Sequence, residues 1–93
     1  MEAIRIVLKP KKWISEKNIE DASLSLNLNL TLKDKLSSLE DNTHWHFKNG
    51  KQKGVLEITC FKKTGEIIFS VHQNRNGGWE KGIIKLITAS LAE

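Results

Sequence analysis

Three histidines and one glutamate are the residues of this sequence whose chemistry is most specific. His44 and His46 are separated by one residue, and residues two apart in a strand lie on the same face of a sheet. Glu57 and His72 lie in later segments that also alternate between apolar and polar residues. Imidazole and carboxylate groups bind zinc and other transition metals, so these residues define one candidate site.

Two hairpins bring this set together. Glycine-containing turns at 49–50 and 64–65 predict antiparallel pairing of the flanking strands. The first hairpin then places His46 opposite Glu57, and a two-residue second loop places Glu57 opposite His72. The predicted metal ligands are therefore His46, Glu57 and His72. A second polar row lies beside them: His44, Thr59 and Ser70.

The same residues also allow two other interpretations. A hydrophilic sheet face often carries a histidine–carboxylate ion pair without any metal. A His–Glu pair can also serve as a general base, but no nucleophile or oxyanion motif accompanies it. A flat sheet face moreover lacks the concave pocket that enzymes use. We therefore expect a binding protein rather than an enzyme.

The positive charge of the chain is unevenly distributed. Residues 1–47 hold seven Lys/Arg and seven Asp/Glu. Residues 48–93 hold eight Lys/Arg and four Asp/Glu, which accounts for the whole net charge of +4. Such a surface attracts polyanions, although a solvated surface that maintains solubility is the alternative. The predicted nucleic-acid-binding residues lie at two hairpin tips and in one loop: Lys48, Lys51, Lys53, Lys62, Lys63 and Arg75.

A glycine-containing loop precedes the last predicted helix. Free backbone N–H groups at a helix start can hold a phosphate or carboxylate, so the loop is a candidate anion site. It matches neither a dinucleotide-binding nor a Walker motif, and a plain strand-to-helix turn explains its glycines equally well. The candidate anion-binding residues are Arg75, Asn76, Gly77 and Gly78.

The secondary-structure elements that carry these residues, as predicted from periodic patterns in the sequence, indicate an α+β fold. Period-two patterns indicate an antiparallel sheet of about five strands, and a period-3.6 stripe indicates a C-terminal amphipathic helix packed on one face. The order along the chain is predicted as β-β-α-β-β-β-α. The strands are placed at 3–9, 22–32, 43–48, 54–61 and 66–73, and the helices at 32–40 and 79–91. A short helical turn capped by Ser15 is a further suggestion.

Segment 22–32 is the most regular part of the sequence. Five leucines alternate with uncharged polar residues, which predicts a strand with one dry face. Leucine favours helices, however, and Asn is a poor strand former, so propensity argues the other way. Thr31 and Asp34 resemble a capping box for the helix that follows. If the strand lies at a sheet edge, it can pair with a second copy of the chain.

The predicted core combines the inward residues of three strands with the last helix. The strands contribute Trp45, Phe47, Leu56, Ile58, Cys60, Ile67, Phe69 and Val71. The helix contributes Trp79, Ile83, Leu86, Ile87 and Leu91.

Length and composition predict a single domain over residues 1–93. The only cysteine, Cys60, excludes an intrachain disulfide and suits a reducing, cytoplasmic location. The first residues lack a charged stretch followed by an apolar one, so we expect no secretory signal, and no segment is apolar enough to span a membrane.

The expected function is therefore that of a small non-enzymatic binding module. Nucleic acid is the first expected partner. A protein partner or a homodimer formed through a sheet edge is the second, and a metal or small anion on the outer sheet face is the third. No cofactor motif is present in the sequence.

Overall fold

The computed structural model describes residues 2–35 and 42–92 of the chain. Within them the strands are β1 (Glu2–Leu8), β2 (Asn29–Lys35), β3 (Thr43–Lys48), β4 (Leu56–Cys60) and β5 (Ile67–His72). The helices are α1 (Glu16–Leu24) and α2 (Glu80–Leu91), and a single 3₁₀ turn, Gln73–Arg75, follows β5. Neither described helix is long and apolar enough to cross a membrane.

The strands form one antiparallel sheet in the spatial order β1-β5-β4-β3-β2. Residues of both helices pack into one core with one face of this sheet, and the helices also contact each other. The α+β class, the five strands and the C-terminal helix are thus confirmed. The order along the chain is corrected to β-α-β-β-β-β-α, because the first helix precedes the second strand.

The core face of the three central strands is confirmed. All eight predicted strand residues are at most 2% exposed. The stripe of α2 is rotated from the predicted one, because Ile84, Ile87 and Leu91 are buried while Leu86 is exposed. Ile83 and Trp79 are half-buried beside this core. The helix α1 adds Ile19 and Ala22 to the same layer.

The strand predicted at 22–32 is wrong over its first half. Ser15 caps α1 by accepting a hydrogen bond from the Asn18 N–H at 3.1 Å, and the helix then runs through Leu24. A turn follows, in which Asn27 adopts a left-handed φ of 64°, and β2 begins only at Asn29. The regular alternation therefore crosses a helix end, a turn and a strand. Of its five leucines only Leu24 belongs to the helix, which begins at Glu16 beside the Ser15 cap.

The strand β2 contains an irregularity that divides the leucine row. Leu30 pairs with Phe47 on the core side, whereas Leu32 pairs with His46 on the opposite side, because the register shifts between them. The hydroxyl of Thr31 donates to the His46 carbonyl at 3.2 Å instead of capping a helix. The predicted helix 32–40 is thus wrong for residues 32–35, which are strand, and residues 36–41 lie outside the described part.

The register of the first meander hairpin is confirmed and that of the second is corrected. His46 faces Glu57 and His44 faces Thr59, as predicted. Glu57 faces Ser70 rather than His72, because the second loop has four residues, 62–65, and Gly65 in it adopts a φ of 76°. The shift is two residues, so each side chain stays on its predicted face.

Candidate functional site

The candidate site lies on the face of the sheet opposite the helices. His44 and His46 of β3 and Glu57 of β4 lie there, with His72 at the end of β5. Side chains alternate along β3, and Trp45 and Phe47 point into the core. His44 and His46 therefore face outward. The hydrophobic core thereby fixes the direction of both imidazoles.

Three potential ligand atoms converge at this point. Nε2 of His44 lies 3.0 Å from Nε2 of His46 and 3.1 Å from Oε1 of Glu57. Nε2 of His46 lies 3.5 Å from the same carboxylate oxygen. Ligands at zinc distances of about 2.0–2.2 Å in a tetrahedral arrangement are separated by roughly 3.3–3.6 Å. The observed separations lie within about 0.3 Å of this range, so small side-chain movements would bring the three atoms to one triangular face of a zinc coordination shell.

Thr59 orients the first of these imidazoles. Its Oγ1 lies 2.7 Å from Nδ1 of His44. In the tautomer with the proton on Nδ1, His44 donates to the threonine hydroxyl, and Nε2 presents a lone pair to Glu57 and His46. Metal-binding histidines are usually held in this way by a hydrogen bond from their second ring nitrogen.

Glu57 is an unusually buried carboxylate for an open sheet face. It is 7% exposed, and its Oε2 forms no hydrogen bond with the described residues. The nearest cationic candidate is His72, whose Nε2 lies 3.4 Å from this oxygen but outside hydrogen-bonding geometry. A buried carboxylate oxygen without a hydrogen bond is costly, so this position calls for a cation.

The environment keeps His46 in the form that binds metals. Burial lowers the pKa of its imidazole below the ordinary value of 6.5, although the Glu57 carboxylate acts in the opposite direction. The neighbouring Arg75 and the other two imidazoles add to the lowering. The neutral imidazole, which is the form that coordinates metals, is therefore favoured over the imidazolium.

The structure brings the predicted metal ligands together with one change. His46 and Glu57 face each other, and His72 reaches the glutamate diagonally across β5. His44 completes the compact set, whose ligand atoms all lie within 4.8 Å of one another. The sequence placed it in the neighbouring row, but the His-x-His spacing within one strand was the signal that joins both imidazoles.

The predicted nucleic-acid-binding residues fall into two separate groups. One group lies at the β3–β4 end of the sheet and comprises Lys48, Lys51 and Lys53. Arg75 lies at the same end, because its carbonyl accepts a hydrogen bond from the Val55 N–H. Lys62 and Lys63 lie in the β4–β5 loop at the opposite end. Nζ of Lys62 is also 2.9 Å from the Glu16 carboxylate. A single ligand contacts both groups only if it spans the sheet.

In the loop predicted to bind anions, two backbone N–H groups donate hydrogen bonds to side chains of the same chain. The Gly77 N–H donates to Oε2 of Glu80 at 2.8 Å, and the Gly78 N–H donates to the side chain of Asn76 at 3.0 Å. Glu80 is completely buried at the start of α2. The carboxylate of Glu80 thus lies at the helix N-terminus, where the sequence predicted an external anion. This contact was not predicted from the sequence.

The arrangement on the open face is suited to holding a cation between β3 and β4. The donor set combines two imidazoles and one carboxylate, and a third imidazole lies beside it. Comparison of the chain with protein-family models, with curated proteins and with solved structures gives no match.

Proposed function

We propose that this chain is a small metal-binding module that holds one zinc-like transition-metal ion on the open face of its sheet. The ligands are Nε2 of His44, Nε2 of His46 and one carboxylate oxygen of Glu57. The observation that carries the proposal is the convergence of these three atoms at 3.0–3.5 Å. When His44 carries its proton on Nδ1 and donates to Thr59, its Nε2 offers a lone pair at this point, where one divalent cation would contact all three ligand atoms.

The donor set favours zinc over magnesium or calcium. Two neutral imidazoles and one carboxylate are typical zinc ligands, whereas the lighter divalent ions prefer oxygen alone. Three protein ligands leave the fourth tetrahedral position to water or to His72, which lies on the side of Oε2. The only thiol does not compete, because Cys60 is buried in the core and burial raises its pKa.

The test is calorimetric titration of the protein, freed of any affinity tag, with Zn²⁺ alone. We expect one ion per chain. His44→Ala and His46→Ala should each weaken binding at least about tenfold, and Thr59→Val should weaken it about 10- to 100-fold through the lost orienting hydrogen bond. The visible spectrum of a Co²⁺-loaded sample reports tetrahedral coordination independently of affinity.

His72→Ala separates the three proposed ligands from the candidate fourth one, because it removes an imidazole of the same face that lies outside the compact set. Its effect on affinity should be smaller than that of either β3 variant. Circular dichroism checks that each variant stays folded. Absence of saturable Zn²⁺ binding, or equal affinity in the wild type and the His44→Ala/His46→Ala double variant, would rule the proposal out and leave a hydrogen-bonded His–Glu network.

A further inference from the structure

Trp13 is the most exposed large apolar side chain of the described residues, at 61%. It lies in the segment that leads from β1 to α1, just before the Ser15 cap. The other two tryptophans are used by the fold. Trp45 is completely buried, and Trp79 donates its indole N–H to the Lys53 carbonyl at 2.8 Å. Packing therefore accounts for two indoles and leaves the third in solvent.

A cleft of about 220 Å³ lies beside this indole, between the β1–α1 segment and the β4–β5 loop. None of the described residues that line it is acidic. The residues that define it chemically are Trp13, Lys11, Lys12, Lys62, Lys63 and Thr64. One tryptophan, four lysines and one threonine thus line this cleft, which we name the Trp13 cleft.

Nearby carboxylates reduce the charge of this end without removing it. Glu16 lies 2.9 Å from Lys62, and Glu66 lies 3.7 Å from Lys9, which is outside the cleft. Of the lysines predicted from sequence to bind nucleic acid, only Lys62 and Lys63 line the cleft. Lys11 and Lys12 also line the cleft. They belong to residues 1–47, whose formal charges sum to zero, so the distribution of charge along the sequence did not point to them.

We infer that the Trp13 cleft binds single-stranded nucleic acid, with a base stacked on the indole and the adjoining phosphates held by the lysines. Aromatic platforms beside lysines are the usual means of binding single strands without sequence preference, because every base has a flat π-face. Lysines alone attract any polyanion, and an exposed indole alone attracts apolar surfaces, so the combination selects the partner. The cleft shares no residue with the His–Glu cluster and does not depend on a bound metal.

The experiment measures the affinity of a fluorescently labelled oligothymidylate by anisotropy, at several salt concentrations and with EDTA present. Trp13→Ala should weaken binding about 5- to 150-fold, the range that corresponds to losing one stacked base. Trp13→Phe, which keeps an aromatic face, should retain most of the affinity. Because the indole is exposed, both variants should fold, which circular dichroism verifies.

Salt dependence tests the lysines. Lys63→Gln should weaken binding and reduce the magnitude of the slope of log K against log salt by about 0.7. Lys51→Gln, at the opposite end of the sheet, is the matched control and should change neither quantity. Lys62 is not used, because its substitution also removes the ion pair with Glu16.

Three results would overturn the inference. The first is no binding of the oligonucleotide at low salt, and the second is equal binding by Trp13→Ala and the wild type. The third is a loss in Lys51→Gln that matches the loss in Lys63→Gln. Phosphatidylserine vesicles provide the remaining arm. If Trp13→Ala weakens vesicle binding and leaves oligonucleotide binding unchanged, the cleft serves a membrane surface and the nucleic-acid inference fails.

Discussion

The carboxylate of Glu16 connects the first turn of α1 to two strands and a loop. Its Oε2 accepts a hydrogen bond from the Thr43 hydroxyl at 2.8 Å and lies 2.9 Å from Nζ of Lys62, and Lys33 lies 3.6 Å from Oε1. Burial raises the pKa of this carboxyl, but the bonds from Lys62 and Thr43 outweigh it, and the pKa is lowered from 4.5. The folded protein therefore holds this group in its charged form more strongly than the unfolded chain does.

The sign of the pH dependence follows from this lowering. Below pH 4.5 the unfolded chain binds a proton at Glu16 more readily than the folded protein, so the contribution to stability is present above that pH and is lost as the pH falls through the folded pKa. Glu16→Gln should lower the free energy of unfolding at pH 7 and make it less dependent on pH below 4.5. Urea denaturation at a series of pH values measures both.

Asp21→Asn is the control for this prediction, since it removes an exposed carboxylate of the same helix whose only described ion pair is with Lys17. Its stability at pH 7 should differ little from that of the wild type. A Glu16→Gln variant that retained the acid sensitivity of the wild type would show that other groups cause the loss of stability in acid.

At the scale of elements, a small polar cluster joins the β3–β4 loop to the start of α2. Glu80 accepts from the Gly77 N–H, and the Trp79 indole donates to the Lys53 carbonyl. A Cβ on Gly77 would overlap that carbonyl, and a Cβ on Gly54 would overlap the Glu80 carboxylate. The loop and the helix therefore approach so closely that only glycine fits at both contact points.

Two Gly→Ala variants of the same region should change stability in opposite directions. Gly77→Ala forces the loop away from the helix and should lower the free energy of unfolding by about 1–3 kcal/mol, the usual cost of overpacking. Gly82→Ala lies within α2 with open space around its Cβ and should raise it by up to about 1 kcal/mol. Urea denaturation compares them, and equal stability of Gly77→Ala and the wild type would contradict the close contact.

Alternation along the strands made much of this architecture predictable from sequence. The faces of β3, β4 and β5 followed from it, so His46 and Glu57 were paired correctly. Loop length was not encoded in the same way, and the four-residue β4–β5 loop moved Glu57 opposite Ser70. The strand predicted at 22–32 was wrong over its first half because hydrophobic periodicity does not reveal the turn at Asn27. Trp13 was not predicted because its exposure in a connecting segment follows no periodic pattern, and Glu80 was not predicted because its hydrogen bond with the Gly77 N–H depends on the conformation of the loop.

At the scale of the whole molecule, the strand β2 forms one edge of the sheet, and this edge is protected. The register shift between Leu30 and Leu32 interrupts its ladder, and Lys33 and Asp34 place charges along it. Nζ of Lys33 also lies 2.6 Å from the Glu20 carboxylate of α1. Bulges and charges of this kind oppose edge-to-edge pairing.

We therefore expect no pairing of two chains through β2, and the homodimer that the leucine alternation suggested is not proposed. Light scattering coupled to size-exclusion chromatography should give the mass of one chain over a wide range of concentrations. Replacing both Lys33 and Asp34 with Thr should increase association, because it removes the charges that protect the edge. A stable dimer of the wild type would contradict this interpretation of the edge.

The sheet order has a consequence for the time course of folding. The strands β2 to β5 pair with their neighbours along the chain, but β1 pairs only with β5. At roughly 5–20 residues per second, a ribosome needs several seconds, about 3 to 13 s, to extend the chain from β1 to the end of β5. Throughout that interval Ile4, Ile6 and Leu8 have no strand beside them. The strand β1 is thus synthesised before the other strands of the sheet and is among the last to be paired, so we expect it to be the strand most in need of chaperones in the nascent chain.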